Sequence, residues 1–222
     1  MPGKMPEKIT VITADIIQSR LARDLVLSLP EKLSRLTHPL VATTFSMSRG
    51  DEIQAVCRGY LQAPEVVRQL RFFCLPLRLR VGIGVGELEN NYWSPNPWDM
   101  NGSAFVRARE SLESLESRGK GVQAYTRTRT VVSSGNKDFD SVVNAILVLM
   151  DTIQDRWTQA QWDAIHAYER LGTYSEAGKA LGIALQNVQK RCKAAHWAAV
   201  RQAEEAIRLL GHKLESESPP EG

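Results

Sequence analysis

The apolar positions near the start of the chain fall on both faces of one short run: Ile9, Val11, Ile12, Ala14 and Ile16 within residues 8–16. A strand that is apolar on both sides belongs in the middle of a sheet, with helices over it. From Ser19 the spacing turns helical, with Leu21, Leu25, Leu29, Leu33 and Leu36 on one stripe that Pro30 must kink or divide. Residues 44–56 then read as two antiparallel strands joined at a tight tip, Ser48-Arg49-Gly50. Val41, Thr43, Phe45 and Met47 share a face of the incoming strand; Ile53, Ala55 and Cys57 share one of the outgoing strand. Gly50 is there to supply the unusual backbone angles of a tight tip. Pro64 stands at the first turn of a second helix, Glu65 to Cys74, which turns Val66, Val67, Leu70 and Phe73 inward.

Residues 77–86 carry the most regular alternation. Leu77, Leu79, Val81, Ile83 and Val85 make one apolar face; Arg78, Arg80, Gly82, Gly84 and Gly86 make the other. Three glycines on one face mean that a packed helix or a ligand comes close to it, and packing is the preferred reading. No helix opens directly after them, so this is not a dinucleotide fingerprint. Residues 87–101 form a polar loop containing Pro and Trp, of a length that is often functional or mobile. A helix follows from about Gly102, with Phe105, Ala108, Leu112 and Leu115 toward the core. Arg109 lies at the border of that face, and Arg107 is expected to point to solvent. Short strands at 122–125 and 130–132 and the turn Ser133-Ser-Gly-Asn136 close this part.

The remainder is helical. Phe139, Val143, Ile146, Met150, Ile153 and Trp157 form an apolar stripe, widened by Val142, Leu147 and Leu149, to be buried on the sheet or across a dimer interface. Thr158-Gln-Ala-Gln161 and Thr173-Tyr-Ser-Glu176 fit the capping box, and Gly172 fits a helix stop. Within residues 173–195, Ala177 allows a close helix crossing, Gly182 makes the turn five positions later, and Val188 plugs the second helix into the core. That is helix-turn-helix spacing. Ala184 departs from the usual Ser or Thr cap, which weakens the start of the second helix. Burying Ile183, Val188, Cys192 and Ala195 leaves Gln186, Asn187, Gln189, Lys190 and Lys193 outward. Amides suit base edges and lysines suit phosphates, so DNA binding is preferred over a role in protein contacts alone. The second helix is expected to continue through Trp197, Ala199 and Ile207 to Leu210, and residues 215–222 to form an acidic disordered tail.

Composition changes this picture little. A 222-residue chain with 43% hydrophobic residues can bury a proper core, and a net charge of +3 confines any nucleic-acid surface to one region. Cys57, Cys74 and Cys192 fit neither a disulfide framework nor a zinc cluster. No apolar run suggests a signal peptide or a membrane span, so a reduced, cytoplasmic setting is expected.

The candidate chemistry lies in carboxylates. Asp15 closes the first strand, while Asp51 and Glu52 follow the hairpin tip; acids at the ends of adjacent central strands suit a hard divalent cation such as Mg2+ or Mn2+. The order of these pieces resembles the palm-type catalytic domain of nucleotidyl and diguanylate cyclases. More closely, Ala14-Asp-Ile-Ile-Gln-Ser-Arg20, Arg49-Gly-Asp-Glu-Ile-Gln54 and the glycine strand resemble the bacterial SatD family. The helix-turn-helix stretch is similar to the winged-less type of sigma-factor region four.

The resemblance implies an α+β fold: a ferredoxin-like, cyclase-type antiparallel sheet with helices (1–135), a connecting or dimerisation helix (136–157) and an all-α helix-turn-helix domain (158–214). It implies metal at Asp15 and Asp51, with the Ile16 backbone and Glu52 in support, and a nucleotide near Ile16, Arg49, Gly50 and Arg109. Arg109 matches the arginine with which such cyclases stabilise their transition state. Phe105 stands where they carry an asparagine, and Arg49 where the diguanylate type has a second glycine. Both departures favour sensing over turnover. The expected function is therefore a homodimeric regulator of double-stranded DNA whose cyclase-like domain binds a nucleotide, a divalent metal or both. The alternative is an active nucleotidyl cyclase or nucleotidyltransferase with an accessory helix-turn-helix.

Overall fold

The doubly apolar run forms β1 (Lys8–Ile16), which pairs antiparallel with β3 (Glu52–Arg58) on one side and β4 (Leu79–Glu87) on the other. The short β2 (Ser46–Met47) lies outside β3 and β5 (Thr130–Ser133) outside β4, giving five strands ordered β2-β3-β1-β4-β5. This computed structural model describes residues 8–48, 50–118 and 128–217; the strand expected at 122–125 lies outside them. β4 and β5 are parallel, so the protein is α+β with a mixed sheet rather than one antiparallel throughout. The chain leaving β4 returns by way of α4 (Ser103–Arg118), the kind of crossover that parallel neighbours need.

The hairpin's incoming arm is shorter than its alternation suggested. Thr43 Oγ1 accepts the Val56 N–H at 3.0 Å, and Val41 makes only an isolated bridge to Cys57. A hydroxyl that takes a ladder donor competes with regular pairing. The leucine stripe also divides, into α1 (Arg23–Leu27) and α2 (Leu29–Leu33), with Pro30 in the first turn of the second. The break keeps Leu29, Leu33 and Leu36 inside but turns Leu21 and Leu25 outward, at 83% and 38% exposure.

On the glycine face the close partner is α4. A Cβ on Gly84 would fall 1.9 Å from the Ala104 carbonyl oxygen, and one on Gly82 2.2 Å from that of Ala108. Ile9, Val11 and Val56 pack there with Ala104, Ala108 and Met100. On the opposite face Ile12, Ala14, Ile53, Val81 and Ile83 belong to an apolar cluster that runs on to Val188, Val200 and Ile207 near the other end of the chain.

Helix α3 (Glu65–Cys74) ties these regions together through two arginines one turn apart. Arg71 donates to Gln154 Oε1 and to Thr130 Oγ1, and pairs with the buried Asp151, whose other oxygen accepts the Arg129 and Thr130 N–H groups at the start of β5. Gln154 and Asp151 belong to α5 (Lys137–Gln154), capped by Asn136. Its buried stripe (Phe139, Val143, Leu147 and Met150) is narrower than expected: Val142 and Leu149 are 51% and 66% exposed.

Helices α6 (Gln159–Leu171) and α7 (Tyr174–Leu181) start and stop where the caps predicted. Thr158 and Gln161 form a capping box, the Thr173 side chain accepts from the Glu176 N–H, and Gly172 and Gly182 are left-handed. Helix α8 (Leu185–Ala194) does not continue to Leu210: a separate α9 (Trp197–Glu217) begins after His196, a left-handed residue with φ 52°. The reason lies elsewhere in the chain. The Trp157 indole donates to the Ala195 carbonyl at 2.7 Å, capping α8, and Trp197 is buried. Residues 215–217, expected in a disordered tail, form the last part of α9. Its distal half packs, with a Cβ on Gly211 only 2.1 Å from the Tyr60 carbonyl oxygen.

Candidate functional site

Strand pairing lays a row of charges across the sheet. Asp15, near the end of β1, is the direct neighbour of Glu52 on β3 and of Arg80 on β4. Directly opposed residues point to the same side of a sheet, so all three lie on the face covered by α4. Asp15 is 9% exposed, and its Oδ2 lies 3.5 Å from Arg80 Nη2. Glu52 beside Asp15 is unfavourable as a like pair, and Arg80 offsets part of that cost. Asp51, half-buried, directly precedes Glu52, and the Ile16 backbone directly follows Asp15.

Among the described residues no set of three or more His, Cys, Asp or Glu side chains converges as a metal cage. Asp15, Asp51 and the Ile16 carbonyl are the groups that could hold a cation of the Mg2+ kind, which takes one or two carboxylates together with water and phosphate oxygens. Arg49 lies outside the described residues. Gly50 is exposed, and among the described residues a Cβ there would meet only Ser48 Oγ, at 3.8 Å.

Arg109 and Glu52 line one cleft of about 360 Å3 between the sheet and α4, with Thr13, Gln54, Trp98 and Phe105. The loop after β4 forms one wall. Gln54 Nε2 donates to the Pro97 carbonyl at 2.9 Å, while Ser94 Oγ and Asn96 Nδ2 donate to the two Asp99 carboxylate oxygens. Sequence reasoning missed Gln54 and Trp98; the only signal was an amide between the apolar Ile53 and Ala55, and its burial, at 7% exposure, is set by the fold. Arg107 is not on the solvent side. Its Nη1 donates to the Val85 carbonyl at 2.7 Å, and its guanidinium fills the space a Cβ on Gly135 would need.

The second set of candidates lies on α8. Gln186, Asn187, Gln189, Lys190 and Lys193 are all exposed, while Val188 and Cys192 are buried. The approach of α7 to α8 uses Gly178 as well as Ala177: a Cβ on Gly178 would fall 2.7 Å from the Ile183 carbonyl oxygen. No side chain caps α8 at Ala184, as expected. Burial pushes the Cys57 and Cys74 thiols up to about 12 and Cys192 to about 11, so all three are neutral and unreactive at physiological pH.

Among the described residues no helix is long and apolar enough to cross a membrane. No curated protein matches the chain. The family model that does match covers residues 9–206, and it includes Asp15, the acids after the hairpin tip, the glycine strand and helices α6 to α8. On that match the chain belongs to the SatD family.

Proposed function

We propose that the protein is a DNA-binding transcriptional regulator whose sheet domain, of ferredoxin-like cyclase type, senses a nucleotide together with Mg2+ or Mn2+. The observation that carries the DNA half is α8: a ten-residue helix with Gln186, Asn187, Gln189, Lys190 and Lys193 all outward, set on α7 through a left-handed Gly182. Amides read base edges and lysines neutralise phosphates. The nucleotide half is supported by antiparallel pairing in the order β2-β3-β1-β4 with helices on the sheet, the arrangement a ferredoxin-like palm has. It is supported too by strand register, which sets Asp15 directly beside Glu52, with Asp51 just before it. Asp15 and Asp51, with the Ile16 carbonyl, would hold the cation, which would bind phosphate oxygens; Arg109 faces the adjoining cleft.

Melting curves with each nucleotide plus Mn2+ test the sensor half. The wild type is expected to gain stability and Asp51→Asn to lose that gain; no shift in the wild type would sink the metal site. Gel shifts on genomic fragments test the DNA half: Lys190→Ala with Lys193→Ala is expected to weaken binding to every fragment, and unchanged affinity would refute the assignment. An active nucleotidyl cyclase or nucleotidyltransferase is the second reading, favoured by Arg109 sharing a cleft with Glu52. Formation of any product from an NTP and Mn2+ would establish it over pure sensing.

A further inference from the structure

Behind α8 lies a notch of about 210 Å3 whose lining carries no carboxylate. Tyr168 of α6 and Tyr174 of α7 stack there, ring centroids 4.4 Å apart. Gln189 and Lys193 enter from α8, one turn apart, and Arg201 from α9, while the buried Cys192 and Trp197 also line the notch. The left-handed His196 puts Arg201 here: because α8 stops and the chain turns, α9 brings its first arginine alongside Lys193. Had α8 run on as one helix, residues 193 and 201 would lie two turns apart along its axis.

The charge balance of the notch is one-sided. Among the described residues neither Lys193 nor Arg201 takes part in an ion pair. The nearby Glu169 is engaged elsewhere, its Oε2 3.3 Å from Arg68 Nη2. Cys192 adds no negative charge, since burial and then Glu169 keep its thiol protonated. Burial first, then Cys192 and Tyr168, hold the Tyr174 phenol above its ordinary value against the pull of Arg201, so it stays protonated, and it shares a hydrogen bond with Tyr168. Two cations, an amide and two hydroxyls therefore converge on one hollow.

We propose that this notch seats one phosphate of a nucleic-acid backbone, held by Lys193 and Arg201 with hydrogen bonds from Tyr174 and Gln189. The proposal rests on the DNA-binding reading and adds residues to it: Arg201, Tyr174 and Tyr168 lie off the outward face of α8. A duplex lying along the amide face of α8 has its backbone beside Gln189, which borders both that face and the notch. Such a phosphate fixes orientation and carries no sequence information.

The test has two arms, run on the full chain. In the first, affinity for a fluorescein-labelled mixed-sequence duplex is measured across a salt series. Neutralising one phosphate contact lowers the magnitude of the log–log salt slope by about 0.9, so Arg201→Gln is expected to do so, with weaker binding to all sequences alike. Tyr174→Phe should weaken binding with the slope unchanged, because it removes a hydrogen bond and no charge. In the second arm, melting curves with inorganic phosphate are compared for wild type and Arg201→Gln. Arg201 is exposed, so this variant folds; circular dichroism checks it. If the wild type binds the duplex and Arg201→Gln keeps the full slope, the notch proposal is overturned while the DNA reading stands. If no duplex binds, the DNA reading fails and the proposal with it; an Arg201-dependent melting shift in phosphate would then assign the notch to a free anion.

Discussion

Arg68 Nε lies 2.7 Å from Glu204 Oε1, and both residues are 3% exposed. One belongs to α3 beneath the sheet and the other to α9 beyond the helix pair proposed to read DNA. Glu169 of α6 approaches the same guanidinium, which sits over the Trp197 ring at 4.5 Å. Burial opposes the charge on Arg68, yet Glu204, by charge and hydrogen bond, and then Glu169 raise its pKa and keep it protonated. Helix α3 and the α6–α9 bundle thus meet at a desolvated charge. A buried charge tolerates no loss of its partner.

Glu204→Ala should therefore cost about 3–5 kcal/mol, since it leaves the buried guanidinium with only the longer contact to Glu169. Replacing both partners by Arg68→Met and Glu204→Leu should recover most of that loss. Urea unfolding monitored by tryptophan fluorescence reads both. A double variant no more stable than Glu204→Ala would show that the pair does more than satisfy itself.

The close approach of α4 gives a second expectation. Gly84→Ala places a methyl 1.9 Å from a backbone oxygen that no rotamer change can move. The helix must shift bodily, at a cost of about 3 kcal/mol or more. Gly50→Ala, whose methyl would meet only Ser48 Oγ at 3.8 Å among the described residues, should be near neutral for folding and should weaken nucleotide binding. Equal melting temperatures for Gly84→Ala and the wild type would contradict the packing.

Acid stability should depend on Glu65. Burial alone would raise its pKa, but hydrogen bonds from His38, its own backbone and Arg208, with the charge of Arg208, lower it to about 2. A carboxylate depressed in the folded state stabilises above its unfolded value of about 4.5, and loses that contribution as pH falls toward 2. Across this window Glu65→Gln should lose less stability than the wild type, while above it the wild type should be the more stable. Parallel curves for the two proteins between pH 5 and pH 2 would remove Glu65 from the account.

If nucleotide and DNA sites are coupled through α3, α5 and α9, a nucleotide at Asp15 and Asp51 should change operator affinity by ~1–3 kcal/mol, or about 5- to 150-fold. Linkage requires operator DNA to change nucleotide affinity by the same factor. Titrating nucleotide with and without the operator fragment reads this, with Asp51→Asn as the control. Identical affinities would leave two independent sites on one chain.

Much of the architecture was legible in local patterns. The two-sided apolar run at Ile9–Ile16, the alternation from Leu79 to Val85 and the caps at Thr158, Thr173, Gly172 and Gly182 all act over a few residues, where side-chain spacing and backbone geometry suffice. So did the glycine face, because three missing Cβ atoms on one side of a strand require a close neighbour. Tertiary structure decided what depends on partners far along the chain. Arg107 turns inward because the Val85 carbonyl and Gly135 await it, α8 ends because Trp157 caps it, and Arg68 is buried because Glu204 lies 136 residues away. The row Glu52–Asp15–Arg80 likewise exists only through strand register, which couples residues 37 and 65 positions from Asp15. A sequence window sees the carboxylate; which charges face it is set by pairing energy summed over the whole sheet.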